Sequence, residues 1–151
     1  KALGGNLYLV RGYSHYMLEQ GQVASGARYD EIMYIDMISL DLQNAAVNLL
    51  AENPDKMPQT DDSTAMFMNA FNAILIKYTD MIVLASGKWR GSDIGPLKNG
   101  DIVENGFIMW ADSYDDQSDA DRAAHKAVPI EVALTLAGSI ESIVITINVV
   151  V

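Results

Sequence analysis

At 151 residues the chain has the length of one ordinary domain, and with half its residues apolar and a fifth charged its composition is that of a globular protein, not a disordered one. Ten Lys and Arg stand against 20 Asp and Glu, a formal net charge of −10, which repels phosphates and argues against nucleic acid or an anionic membrane as partner. The lack of any cysteine excludes disulfides, thiolate catalysis and thiolate metal sites, and there is no apolar run of about 18 residues to span a bilayer.

The chain opens at Lys1 and runs almost at once into the apolar stretch Asn6-Leu7-Tyr8-Leu9-Val10-Arg11, which reads as a buried strand behind the flexible pair Gly4-Gly5. The basic, apolar and small-residue order of a signal peptide is missing; an opening without an initiator Met that runs straight into a strand is what a fragment of a longer chain would show. A polar, Gly-containing stretch without period follows to about Ala27, a loop or an irregular hairpin.

From about Tyr34 to Glu52 the period changes. Ile35, Ile38, Leu42, Ala45 and Leu49 step by three and four, which places them on one helical stripe with Asp36, Asp41 and Asn44 off it. Asn53-Pro54 ends that helix. The cluster Thr60-Asp61-Asp62-Ser63 supplies acceptors and negative charge for the start of a second helix, whose stripe is Phe67, Phe71, Ile74, Leu75 and Tyr78. The segment 81–85 fits either a last helical turn or a short strand. Turn signals then crowd together at Gly87, Gly91, Gly95-Pro96, Asn99-Gly100 and Asn105-Gly106. Phe107-Ile108-Met109-Trp110 reads as a strand, and the acidic stretch 112–121 leads into a short helical turn capped by Ser118 and ending before Pro129.

The end of the chain is the most informative part. Ile130, Val132, Leu134 and Leu136 share one strand face, with Glu131, Ala133 and Thr135 on the other. After Gly138-Ser139 a second strand places Ile143, Ile145, Ile147 and Val149 on one face, opposite Ser142, Val144, Thr146 and Asn148. A two-residue Gly-Ser hairpin would pair Leu134 with Ile143, Val132 with Ile145 and Ile130 with Ile147, bringing the apolar faces together. Beyond Glu141, however, the chain carries no charge and no Pro through Val150 and Val151. An unprotected, β-branched edge of this kind is aggregation-prone unless something covers it. Either this strand is buried inside its own domain, or Ile143, Val144, Ile145, Thr146, Ile147, Asn148, Val149 and Val150 form an arm that pairs with another chain.

Catalytic candidates are thin. His15 lies in a polar loop and His125 in a short amphipathic turn, and neither belongs to an H-E-x-x-H frame. No G-x-S-x-G elbow surrounds any serine, and Gly87-Lys88 lacks the rest of a phosphate loop. The stretch 112–121 is dense in oxygen ligands, but it lacks the central Gly and distal Glu of an EF-hand. A solvated acidic loop accounts for it better than a calcium-dependent binding module. The pair Asp61-Asp62 would suit an acidic hydrolase, yet helix capping explains it. Trp89 and Trp110, near turns, read as plugs at the edge of a core.

From Gly87 to the end, about 65 residues, the chain resembles the C-terminal domain of sheath proteins from contractile-tailed bacteriophages, and within them a phage sheath-like family. The pieces that carry this are Gly87-Lys88-Trp89, Gly95-Pro96-Leu97-Lys98-Asn99-Gly100-Asp101 and Glu104-Asn105-Gly106-Phe107. Gln117-Ser118-Asp119-Ala120-Asp121-Arg122-Ala123-Ala124 and Pro129-Ile130-Glu131-Val132-Ala133 follow, then Leu136-Ala137-Gly138-Ser139-Ile140 and Ile145-Thr146-Ile147-Asn148-Val149. The N-terminal half is similar more loosely, through Gly5-Asn6, Asp36 opening a long helix, and Lys56-Met57-Pro58 before Thr60-Asp61. His125 and Val128 depart from the pattern, standing where a basic residue and a second proline are expected.

The resemblance implies a structural, non-enzymatic subunit without cofactor or metal. It would be a homo-oligomer in a helical sheath around a tail tube, attached to a baseplate, within a virion assembled in the bacterial cytoplasm. It further implies terminal arms that add strands to neighbouring subunits and stay connected while contraction drives the tube into the host. A tail tube or baseplate component of the same machine is the nearest alternative. The expected fold is α+β over residues 1–151: a mixed sheet, two long helices packed on one face, and a C-terminal β-hairpin or strand arm.

Overall fold

The three- and four-residue spacing of apolar side chains in the first half produces two helices. In the computed structural model, which describes residues 6–11, 13–19 and 21–139, these are α1 (Tyr29–Glu52) and α2 (Asp61–Asp80). α1 begins about a turn and a half before the apolar period becomes clear, with Asp30 and Glu31 at the positive end of its dipole. It ends where expected: Asn53 Nδ2 donates to the Leu49 carbonyl at 2.9 Å and Pro54 stops propagation. α2 starts at the expected cap, where Thr60 Oγ1 accepts from the Ser63 N–H at 3.4 Å.

The strands are short and pair as three two-stranded antiparallel ladders among the described residues. β1 (Leu7–Arg11) pairs with β2 (His15–Glu19), β3 (Gly87–Lys88) with β4 (Ile102–Val103), and β5 (Phe107–Trp110) with β6 (Glu131–Leu134). The fold is α+β as expected, but among the described residues these short ladders stand in place of a single mixed sheet. The two long helices do lie on one face of a ladder. Phe107, Met109, Val132 and Leu134 of β5–β6 pack against the cluster of Ile38, Leu75, Tyr78, Val83 and Leu84. The opposite face, through Ile108 and the fully buried Ala133, meets Leu97, Val103, Trp89 and Ile94.

Two stripe assignments shift. Ile35 is about half exposed, and Tyr34 takes its place beside Ile38. Asp41, expected to point away from the core, sits at the helix–helix seam, where its Oδ2 accepts from Tyr78 Oη at 2.8 Å and Lys77 Nζ at 3.0 Å. A carboxylate can occupy that place because it satisfies the hydroxyl of a fully buried tyrosine. The strand at residues 7–11 was expected to be buried and is not. Leu7, Tyr8, Leu9 and Val10 are all exposed, because among the described residues β1 pairs with β2 alone.

Burial, and then the hydrogen bond to Asp41, pushes the Tyr78 hydroxyl up to about 12, while the bonds from Tyr78 and Lys77 hold the Asp41 carboxyl below the usual carboxylate range. A tyrosine in the unfolded chain ionises near its ordinary value of about 10. The contribution of Tyr78 is therefore complete below pH ~10 and is lost as pH rises toward ~12. That of Asp41 is present above the ordinary carboxylate range and is lost as pH falls below it. Tyr78→Phe should cost about 2 kcal/mol, as for a hydrogen bond to a charged group. It should also shrink the loss of stability between pH 10 and 12 in a urea–pH series. An alkaline limb identical to wild type would refute the account.

After α2 residues 81–83 form a turn and Leu84 a single β-bridge to Leu136, so the segment is neither a last helical turn nor a strand of its own. Ile82 adopts φ 58°, and the Tyr78 carbonyl accepts from the N–H groups of Val83 and Leu84 at 3.0 and 3.2 Å. Gly106, at φ +81°, has no room for a side chain, since a Cβ there would lie 2.7 Å from the backbone nitrogen of Ala85. Gly106→Ala should cost more than about 1 kcal/mol, read as a fall in the chemical-denaturation midpoint; an unchanged midpoint would show that this crossing of loops can shift freely.

Candidate functional site

Among the described residues, the side chains that might have carried chemistry are found at the surface or in structural contacts. His125 is exposed, with φ 55° in the turn that follows α3 (Asp119–Ala123). His15 is also exposed and opens β2 instead of lying in a loop. Trp89 and Trp110 behave as edge plugs: their indole N–H groups donate to the Ser92 carbonyl at 2.7 Å and to Asp112 Oδ1 at 3.1 Å.

Asp61 does more than charge a helix terminus. Its two carboxylate oxygens accept from Ser113 Oγ at 2.9 Å and from the Tyr114 N–H at 2.6 Å, fastening the acidic loop to the start of α2. No local signal could reveal this, because the partners lie 52 and 53 residues away. Within the loop the acids are similarly engaged. Asp119 pairs with Arg122, and Asp121 accepts from Lys126 Nζ at 2.6 Å and Ser118 Oγ at 2.7 Å. Those two bonds, Lys126 first, hold the Asp121 carboxyl low. Among the described residues no three His, Asp or Glu side chains are grouped to hold a metal ion. Thermal stability is expected to be unchanged by EDTA; a melting temperature several degrees lower on chelation would favour the calcium reading.

The segment that leads to the C-terminal run is the best-defined candidate. Beyond β6 the chain crosses the loop after α2. The Thr135 N–H donates to the Gly106 carbonyl at 2.8 Å, and its carbonyl accepts from the Ala85 N–H at 3.1 Å. Thr135 Oγ1 donates to the Ala85 carbonyl at 2.6 Å, Leu136 forms a bridge with Leu84, and the Ala137 N–H donates to the Val83 carbonyl at 2.8 Å. Ser139 Oγ then donates to Asp30 Oδ2 at 3.0 Å, in the first turn of α1. The arm residues 143–150 lie outside the described residues. Their root, however, is anchored, and its donors are committed. A two-residue Gly138-Ser139 hairpin in the expected register would need the N–H groups of Ala137 and Thr135 for the returning strand. Both are already bonded to Val83 and Gly106.

The family model for the E217 tail sheath protein gp31-like C-terminal domain matches residues 29–149. The chain belongs to this tail sheath family. Among curated proteins none matches. The sheath match begins at the first residue of α1, so it takes in both long helices, where sequence similarity was loose, and leaves out the β1–β2 hairpin. It runs through all but the last two residues of the C-terminal arm segment and tail. A tail sheath domain has a structural role, is a component of the virion, and assembles into a multi-subunit sheath. Among the described residues no helix is long and apolar enough to cross a membrane.

Proposed function

We propose that this sheath domain polymerises with copies of itself into a helical sheath around the tail tube, joined to a baseplate, and that residues 143–150 are its interchain arm. Contraction of that polymer would drive the tube into the host cell, with energy stored in subunit packing and not in any reaction, and the parts would assemble in the reducing host cytoplasm.

The observation that carries the arm is the spent pair of donors at its root. The N–H groups of Thr135 and Ala137 are bonded to Gly106 and Val83, and the two-residue hairpin would have to compete for both, which supports the arm reading. The run's own unprotected edge then calls for another partner. Negative-stain microscopy of the sheath subunit tests the whole reading: hollow tubes are expected on concentration or on addition of tail tube. Particles that stay monomeric under both conditions would count against it.

A further inference from the structure

Two non-glycine residues among the described ones hold a left-handed backbone, Ile82 at φ 58° and His125 at φ 55°. They stand toward opposite ends of the helix pair. Position 82, just past the end of α2, is a place where Gly or Asn is the ordinary choice, and a β-branched side chain there is a steric outlier. Burial within the domain does not offset that strain. Ile82 is 76 % exposed and its neighbour Met81 51 %, so two large apolar side chains stand out together from the turn. Strain kept where the domain itself gains no packing points to a contact made outside it.

The other end of the pair carries a matching concavity. The open groove of about 500 Å³ runs between the last turns of α1, the first half of α2 and the segment 125–130, walled by Leu50, Met57, Phe67, Phe71, Val128 and Ile130. Its volume falls in the range of pockets that bury a bound group, about 300–1,000 Å³. Charge also differs between the two features. His125 and Lys126 line the groove and, among the described residues, no carboxylate does, although the chain has 20 acidic residues against 10 basic ones. Lys126 also bonds Asp121. Around Met81 and Ile82 the charge is acidic instead. Asp80 precedes them, and Asp30 and Glu31 border the same hollow, Asp30 bonding Arg28 and Ser139 as well. α2 is 20 residues long, roughly 30 Å. It holds projection and groove apart, so a subunit cannot fill its own groove.

We propose that Met81 and Ile82 of one sheath subunit seat in the α1–α2 groove of a second copy, with the acidic surround of the projection against His125 and Lys126. This rests on the sheath reading and adds to it a contact that does not involve the arm. Burial of two apolar side chains against Phe67 and Phe71 supplies the affinity, and the opposite charges set the orientation. With one projection and one groove on every chain the contact is heterologous, the kind that propagates into a helical polymer instead of closing a dimer.

The chain contains no cysteine, so single introduced thiols report cleanly. Subunits carrying Ile82→Cys and subunits carrying Thr64→Cys, on the groove wall, are mixed, assembled with tail tube and treated with a short bismaleimide. Covalent dimers are expected from the mixed polymer and not from dispersed subunits. A chain carrying both thiols should give a ladder of multimers. Ile82→Gly, which removes strain and projection together, should leave the melting temperature equal or higher and raise the concentration needed for tubes at least tenfold. Tubes in which position 82 never links to position 64 would overturn the proposal, as would links from 82 only to 82, or from 64 only to the tail tube; the sheath reading would survive each result. A lower melting temperature for Ile82→Gly would show that Ile82 packs within its own domain, and unchanged assembly that it makes no contact there; either overturns the proposal. Slow maleimide labelling of Ile82→Cys in dispersed subunits would do the same, since the projection would already be covered. Failure of the unmodified subunit to polymerise would remove the proposal together with the sheath reading beneath it.

Discussion

Leu75→Ala should destabilise the domain by about 3–5 kcal/mol, the upper part of the range for truncating a buried leucine. Leu75 is fully buried, and it stands where α1, α2 and the β5–β6 ladder converge, among Ile38, Tyr78, Val83 and Leu84. Ladder and helices hold one another in place, so the site cannot collapse around the lost methyl groups, and both the transfer and the cavity contributions persist. Phe71, on the same stripe one turn earlier, makes the useful contrast. It is only half-buried and lines an open groove of about 500 Å³ with Phe67, Leu50 and Met57. Its truncation should cost clearly less, about 1–2 kcal/mol, despite the larger side chain, because much of its surface is already in contact with solvent. Ile35→Ala on the exposed flank should stay within about 0.5 kcal/mol. Urea denaturation of the three variants gives the ranking. A Phe71→Ala loss equal to or above that of Leu75→Ala would place the core in the groove and refute the packing described above.

Ile145→Lys should abolish assembly while leaving the domain folded. If residues 143–150 pair with another chain, the lysine enters an interchain sheet, where an unpaired charge costs several kcal/mol. The clusters among the described residues draw on residues 34 to 136. Circular dichroism and the melting transition should therefore match wild type, and tubes should be missing from micrographs. Deleting residues 146–151 gives an independent check: polymer lost with a cooperative melt retained supports the arm. Loss of the melt in either variant would show that the segment belongs to its own domain's core. Wild-type tubes from both would remove it from the assembly contact altogether.

Local physics was enough for the elements. A three-and-four spacing, Thr60 ahead of a charged first turn, Asn53-Pro54, Ser118 and the 107–110 run each gave an element or boundary that the fold keeps, since each depends on neighbours within a few residues. The family was also legible, because its turn-and-strand pieces follow one another in order from Gly87. The helix phase was less so. Stripe periodicity cannot tell a carboxylate that faces solvent from one that satisfies a buried hydroxyl across a seam, and so Asp41 was misplaced.

What the sequence alone determined was the α+β class, the two helices with their ends, the absence of thiol chemistry, and a C-terminal run without charge. Only the tertiary structure decided what depends on groups far apart in the chain. It joined Asp61 to Ser113 and Asp41 to Tyr78, split the expected sheet into three ladders, left the β1–β2 hairpin uncovered, and committed the Thr135 and Ala137 donors to Gly106 and Val83. The reason is that an N–H group can satisfy one acceptor well. Which acceptor it takes is settled by the loops that packing brings beside it, and no pattern of neighbouring residues carries that information.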